Sequence, residues 1–589
     1  MKQLIAWIKQ HRAWIKQHRA AVLFVAVFVV GIAINALDVA HGQIWFDESY
    51  SVALATKSFP DIWRIGAADV HPVLYYCMLH VVYLIFGKSI LAMRLFSLVG
   101  TAVLGLLGWT HIRKDYDNVT AILFTFFVLM SPWGMQESVD VRMYSWAAVF
   151  TMLVLIYTRR ICLGLLTQEG FKGIPTSWWL FAFGFALASA YTHYYSAIGA
   201  FVCMAVLLIT IEYELAIKSQ GARKALRSFM LGAVVCLLAY APWIHAMMSQ
   251  VKGVSQEYWI EFYFPQTLLE FIEFPIRSVA IDGIIKSQNL DLEVLIPRIA
   301  FFVLMILIVI ALAVYIKDLV RAKKTHHMLS TQLQRSCSIV SLSGALSMPL
   351  LLLYGTILLS AGLSLAIHQS IMQARYLSCI AGAACLALAV LFAKLIEDGA
   401  SSAHAGSTQD TAVSNDAAAA WDKAPLGKGL FTKKVLLGVA ILSYAILGGA
   451  NQLQICKASY DWRNWAVVDY YRDVVHTDGG SLLPVYSEGN IGSNIVAAAP
   501  LSIYVPESTI LIPTKMRAYE AYTPSIELVD DVAAHAKEQH GRMIYIGNGS
   551  DDQAAQEFAR KIGASVVESK TFWRPYKSNM WTISILERP

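Results

Sequence analysis

Apolar residues in this chain come in long unbroken runs, not in short alternating or three-to-four-residue patterns. Runs of near-spanning length lie at 20–37, 91–111, 119–135, 144–157, 178–193, 197–211, 229–248, 296–316, 349–367, 376–395 and 435–452. Each approaches the roughly 20 apolar residues that a helix needs to cross a bilayer. A further run, 73–86, is shorter and carries His80. Charge decides how to count it. Lysine and arginine gather at 2–19, at Arg113-Lys114, at Arg159-Arg160 with Lys172, at 218–227, at 317–324 and at 394–434. Loops enriched in this way stay on the cytoplasmic side. The acidic loops 38–72, 136–142 and 253–294 then face outward, but only if 73–86 lies along the interface or re-enters without crossing. The pattern predicts a polytopic α-helical membrane protein of about 11 transmembrane helices, amino terminus cytoplasmic and carboxyl terminus outside.

Composition supports this class: 57% of the 589 residues are hydrophobic and 15% charged, where a soluble domain carries about a quarter charged. The net charge of +6 lies in short loops and the amino terminus, which sets orientation and does not suggest nucleic acid. The eight cysteines fall mostly inside apolar runs with no CxxC pair, so they read as small hydrophobes. Residues 1–19 contain a tandem repeat, Ala6 to Arg12 and then Ala13 to Arg19, which fits an interfacial helix or a plain source of positive charge. A transmembrane module follows over 20–396, with a first outer loop at 38–90. An Ala/Ser/Gly/Asp-rich stretch at 397–433 reads as a flexible cytoplasmic linker before a last membrane helix at 434–452. Residues 453–589 form an extracytoplasmic α/β domain with strand-like runs at 482–486, 501–505, 543–546, 564–567 and 581–586. Within it, Gly547-Asn548-Gly549-Ser550 before a helix is a tight turn, with a phosphate cradle as the alternative. Trp573, Tyr576 and Trp581 read as core sooner than as a glycan surface.

Polar residues that packing explains poorly collect on the outward side. Asp47, Glu48, Asp69 and His71 lie in the first outer loop, and Arg94 opens the next span. Glu137, Asp140, Arg142 and Tyr144 form one outer turn, His193, Tyr194 and Tyr195 another, and His368, Gln369, Arg375 and Tyr376 a third. Charged groups at a bilayer face persist where they meet water, a partner or a substrate. A carboxylate can deprotonate a hydroxyl, while arginines hold a phosphate through charge-assisted hydrogen bonds. Together these suit sugar transfer from a lipid-linked phosphate to a hydroxyl.

The order Asp47-Glu48, Asp69-Val70-His71-Pro72 with Tyr75-Tyr76, Phe86-Gly87-Lys88-Ser89 and Arg94-Leu95 resembles the start of GT-C glycosyltransferases. It is similar to the protein O-mannosyltransferases, the lipid A aminoarabinose transferases and the RgtA-like family. Arg142-Met143-Tyr144, Tyr191-Thr192-His193-Tyr194, Ala241-Pro242-Trp243 and Arg375-Tyr376 extend the likeness over roughly 20–400. The family often has two prolines where this chain has Pro72-Val73, so the turn there is expected to differ. The resemblance implies a GT-C-like fold in the plasma membrane and a polyprenyl-phosphate-sugar donor. It also implies a hydroxyl-bearing glycan, lipid or protein acceptor, and contact with membrane lipids. Carried over, Asp47 is the general base, with Glu48 orienting the acceptor or standing in for Asp47, and Asp69 and His71 shape the pocket. Arg94, Arg142 and Arg375 are the phosphate candidates, with Tyr144, His193, Tyr194 and Tyr376 on the donor side. No cofactor is required in the nearer families; a divalent cation, Mg or Mn, held by Asp47 and Asp69 is the alternative. A transporter or flippase of lipid-linked sugars is the competing class, and a sugar-binding scaffold the third. The one-sided clustering of charge speaks against transport, whose sites sit near the midplane.

Overall fold

The computed structural model describes residues 17–40, 42–167, 170–256, 266–274, 276–326, 344–395, 428–476, 480–488, 495–513, 519–549, 552–575 and 579–589. Most of the amino-terminal repeat, most of the linker, Ser550 and Tyr576 lie outside the described residues.

The helices in chain order are α1 (Arg19–Asn35), α2 (Phe46–Ala55), α3 (Phe59–Ala67), α4 (Leu74–Phe86), α5 (Ile90–Leu107), α6 (Asn118–Leu129), α7 (Pro132–Ser138), α8 (Tyr144–Leu165), α9 (Thr176–Thr192) and α10 (Tyr194–Ala216). They continue as α11 (Ala222–Gln256), α12 (Gln266–Ile272), α13 (Val279–Lys286), α14 (Leu292–His326), α15 (Ser347–Ala366), α16 (Ala381–Ala393) and α17 (Lys428–Ser459). Among the described residues eight helical segments are long and apolar enough to cross a membrane, and the bent pair α6–α7 makes a ninth. The other two expected spans fall on α1 and α9, each 17 residues long, about 26 Å at 1.5 Å per residue. α4 has 13 residues, too short to span; its end, Leu84, Ile85 and Phe86, is exposed as an apolar tip.

The run 119–135 is not one straight helix. Pro132 holds Ser131 extended and removes a backbone donor, so α6 stops and α7 leaves it at 59°. Ser131 caps the new helix by accepting from the Gly134 amide at 3.2 Å. The bend carries Glu137, Asp140 and Arg142 under the first loop.

Beyond α17 lie α18 (Arg463–Val475), β1 (Val485–Tyr486), α19 (Ile495–Tyr504), β2 (Ile510–Pro513), β3 (Ile526–Val529), α20 (Val532–Lys537), β4 (Gly541–Asn548), α21 (Gln553–Ile562), β5 (Ser565–Arg574) and β6 (Asn579–Arg588). The sheet order is β3-β2-β1-β4-β6-β5, parallel through β4 and antiparallel at β6 and β5. The strand expected at 501–505 is instead the end of α19. Three alanines, Ala497 to Ala499, favour helix there, and the helix packs its apolar face on α2. β2 and β3 replace it in the sheet. The phosphate-cradle alternative fails at Gly549, whose amide is already given to the Met580 carbonyl at 2.9 Å.

Two apolar cores matter for the site. One fills the helical bundle. The other joins Tyr50, Leu54, Tyr75 and Tyr76 of the first loop to Tyr471, Ile510, Phe572 and Trp581 of the carboxyl-terminal domain. The loop and the domain are therefore one packed body.

Candidate active site

Asp47 and Glu48 are adjacent in sequence but meet different surroundings. Glu48, at the third position of α2, reaches back so that its Oε2 accepts from the Trp45 amide at 3.2 Å, the carboxylate half of a capping box. The same carboxylate takes Nε and Nη2 of Arg94, each at 3.2 Å, and the Val141 amide at 3.0 Å. Arg94 also donates to the Gly42 carbonyl at 2.7 Å. The pair is sealed, with the side chains 0% and 4% exposed. A buried ion pair is tolerable only when its atoms are hydrogen-bonded in this way. Glu48 and Arg94 are spent on joining α2, α5 and the turn before α8.

Asp47 is partly open. Its Oδ2 lies 3.2 Å from Nη2 of Arg375, the two side chains being 18% and 17% exposed. Arg375 sits in the tight turn that leads into α16, and its guanidinium packs over the rings of Trp45 and Tyr376 at 5.2 and 5.7 Å. Trp45 is fixed in turn by its Nε1, which donates to Asp140 at 3.2 Å. Arg142 is buried alongside and donates from Nη1 to the Asp47 carbonyl at 3.3 Å and the Tyr76 hydroxyl at 3.4 Å.

Behind the Asp47–Arg375 pair stands a cage of rings. His193 lies 5.0 Å from Tyr376, 5.7 Å from Tyr144 and 5.3 Å from His71, centroid to centroid. Burial, then the neighbouring Arg142, His193 and Arg375, holds the His71 pKa well below its ordinary value, so this imidazole is neutral. His193 caps α10, its Nδ1 accepting from the Tyr195 amide at 3.1 Å, which places the proton of a neutral ring on Nε2. That Nε2 and the Tyr144 hydroxyl are buried without hydrogen-bond partners. Such atoms each cost about 1–3 kcal/mol, and beside the Asp47–Arg375 pair they are donors that a bound anion or sugar would satisfy.

The remaining expected residues are placed as follows. Asp69 lies half-buried after α3, near Tyr50, whose hydroxyl pKa is held well above its usual value by burial and then by Asp69. Tyr194 is turned away from the cage: it donates to Gln250 at 2.5 Å and accepts from Trp243 Nε1 at 3.2 Å. Gln250 donates onward to the Gly66 carbonyl at 3.1 Å, so this chain ties α11 to the end of α3. Among the described residues no group of three or more His, Cys, Asp or Glu is arranged to hold a metal ion. Asp47 is paired with the Arg375 guanidinium, which competes with a divalent cation for the carboxylate.

Sequence reading passed over residues from the far end of the chain. Tyr504 accepts from the Ile44 amide at 2.8 Å, Arg574 Nη2 donates to the Ile44 carbonyl at 3.1 Å, and the Tyr522 hydroxyl is 3.2 Å from that of Ser49. Separations of 460, 530 and 473 residues leave no local signal for these contacts.

No protein-family model and no curated protein matches this sequence. Solved structures do. ArnT from Cupriavidus metallidurans in the apo state aligns with a TM-score of 0.53 at 13% identity, covering 96% of this chain and 97% of ArnT. The same ArnT bound to undecaprenyl phosphate aligns at 0.47 and 14% identity, over 96% and 98% of the two chains. The archaeal oligosaccharyltransferase AglB from Archaeoglobus fulgidus, in complex with an inhibitory peptide and a dolichol-phosphate, aligns at 0.42 and 11%, over 82% and 63%. From its first membrane helix to its last strand, this chain has the GT-C-like fold of ArnT, a polytopic helical module carrying a carboxyl-terminal α/β domain.

Proposed function

We propose that this protein is a membrane glycosyltransferase that moves a sugar from a polyprenyl-phosphate donor to a hydroxyl acceptor at the outer face of the membrane. The observation that carries the reading is the partly open Asp47–Arg375 pair backed by the unspent donors of His193 and Tyr144. The fold shared with ArnT supports it, as do the first-loop motifs that resemble the GT-C enzymes.

In this reading the donor phosphodiester takes Arg375 from Asp47, its non-bridging oxygens accepting from the guanidinium, whose hold strengthens as the diester becomes the more highly charged phosphate monoester. The carboxylate so released accepts the proton of the acceptor hydroxyl. The hydroxyl oxygen bonds to the anomeric carbon from the face opposite the phosphate, and the anomeric carbon–oxygen bond to phosphate breaks with inversion. The electron pair leaves on polyprenyl phosphate, whose added charge is held by Arg375 with Arg142 behind it. His71 stays neutral and serves, with Tyr144, His193 and Tyr376, as a wall for the sugar. Glu48 and Arg94 hold the turn that presents Asp47.

Purified protein in lipid, given a panel of radiolabelled polyprenyl-phosphate sugars, is expected to consume one of them. Asp47→Asn should lower that rate by roughly 10²–10⁴-fold while remaining folded. Arg375→Ala should weaken donor use by about 1.5–3 kcal/mol, the worth of a hydrogen bond to a charged group. Full turnover by Asp47→Asn would overturn the base assignment, and no turnover of any donor by the native protein, with a broad acceptor mixture present, would overturn the function.

A further inference from the structure

We infer that the carboxyl-terminal domain is a working part of the active site, with Tyr504 and Arg574 as positioning residues that set the turn carrying Asp47. The inference deepens the glycosyltransferase reading and rests on it for its kinetic arm. Asp47 is the second residue of α2, so its direction depends on the three residues before it. That turn is held at Trp45 by Glu48 of α2 itself, through the amide, and from the bundle side by Asp140, through the indole. From the domain side it is gripped at Ile44, where both backbone polar groups are used: Tyr504 takes the amide and Arg574 takes the carbonyl. Ile44 itself is fully buried.

Arg574 is a costly choice for a merely structural contact. It ends β5, is fully buried, and lies with its guanidinium 4.1 Å over the ring of Trp581, itself fully buried on β6. Burying a cation is expensive unless its hydrogen bonds are made, and here one of them is made to the loop and not within the domain. The sheet thus holds a rigid cation against one carbonyl two residues before the helix that bears the reacting carboxylate. Further contacts run along the same seam. Ser49 meets Tyr522, Lys57 donates to the Thr523 carbonyl at 2.9 Å, and Arg64 pairs with Glu520. With the shared apolar core beneath them, these contacts tie the turn to the domain.

The test uses the full-length protein in lipid nanodiscs and two readouts. Hydrogen exchange of a peptide covering 42–50 reports the turn directly, and steady-state kinetics with the consumed donor report its use. In Tyr504→Phe and Arg574→Met, exchange over 42–50 should rise and kcat should fall by about tenfold, the equivalent of one lost hydrogen bond, with donor KM little changed. Arg574→Lys, which keeps the charge and one donor, should recover part of both. Arg560→Ala, exposed on α21 at the other face of the sheet, should alter neither. Unchanged exchange over 42–50 in folded Tyr504→Phe overturns the inference whatever the kinetics show. A native protein that consumes no donor sinks the catalytic reading alone, and the exchange result still decides whether the domain sets the turn.

Discussion

Asp38 shows how a single carboxylate can report on the folding of the region under the site. It follows α1 and accepts from Gln452 Nε2 of α17 at 3.0 Å. Burial pushes its pKa from 3.8 up to about 6, with the Gln452 hydrogen bond opposing the shift. The folded state therefore binds this proton more tightly than the unfolded state, and the charged form costs stability above pH 6. As pH falls from about 6 toward 4 that cost disappears. Asp38→Asn should melt higher than the native protein at pH 8 by roughly 2–3 kcal/mol of stability, with the gap closing below pH 4 in a detergent melting series. Equal melting curves at pH 8 would show that the native carboxylate is not penalised there. At this scale the sequence was informative about identity and silent about partners. Asp47, Arg375, Tyr376 and His193 all stood out as polar groups at one face, and all meet in the structure. Nothing in the string distinguishes Glu48 from Asp47, because the difference lies in which side of one helical turn meets Arg94.

Among the elements, the apolar runs were easy to read, since a bilayer demands long unbroken stretches and charge bias orders them. Breaks within runs were harder: Ser131-Pro132 interrupts 119–135, yet run length alone cannot tell a kinked span from a straight one. The short strands β2 and β3 and the helix α19 were misread because four-residue apolar runs carry no period, and pairing across the sheet decides them. Tight packing between α17 and the α6–α7 break gives an element-scale prediction. A Cβ added at Gly448 would lie 2.5 Å from the Met130 carbonyl, a backbone atom that cannot turn aside. Gly448→Ala should cost about 1–3 kcal/mol through overpacking, measured as a lowered melting midpoint. Gly438, with nothing within 4 Å of its added Cβ, is the control and should tolerate alanine.

The whole molecule was legible as a membrane bundle with an α/β appendage, but not as a single body made of a loop and that appendage. Boundaries drawn from composition separate 38–90 from 453–589, whereas the core crosses between them. Such contacts depend on the chain's path through space and leave no trace in local pattern. Orientation gives the prediction at this scale. In a background lacking native cysteines, Ala554→Cys on exposed α21 should react with a membrane-impermeant maleimide in intact cells, and Lys114→Cys only after permeabilisation. The reverse pattern would place the pocket on the cytoplasmic side and remove the outer-face donor reading.

The grip of Arg574 on Ile44 also bears on how the protein is made. A ribosome delivers the chain from its amino terminus, so Asp47 emerges early while the arginine that steadies its turn is 530 positions behind Ile44. During most of synthesis the turn is held from the bundle side alone, and the second grip closes only after the last strands have been made and folded. A nascent chain stalled before that point would carry its carboxylate and arginine without the scaffold that aims them. Maturation of the pocket is thereby tied to completion of the polypeptide, and shortened products would enter the membrane without the finished geometry.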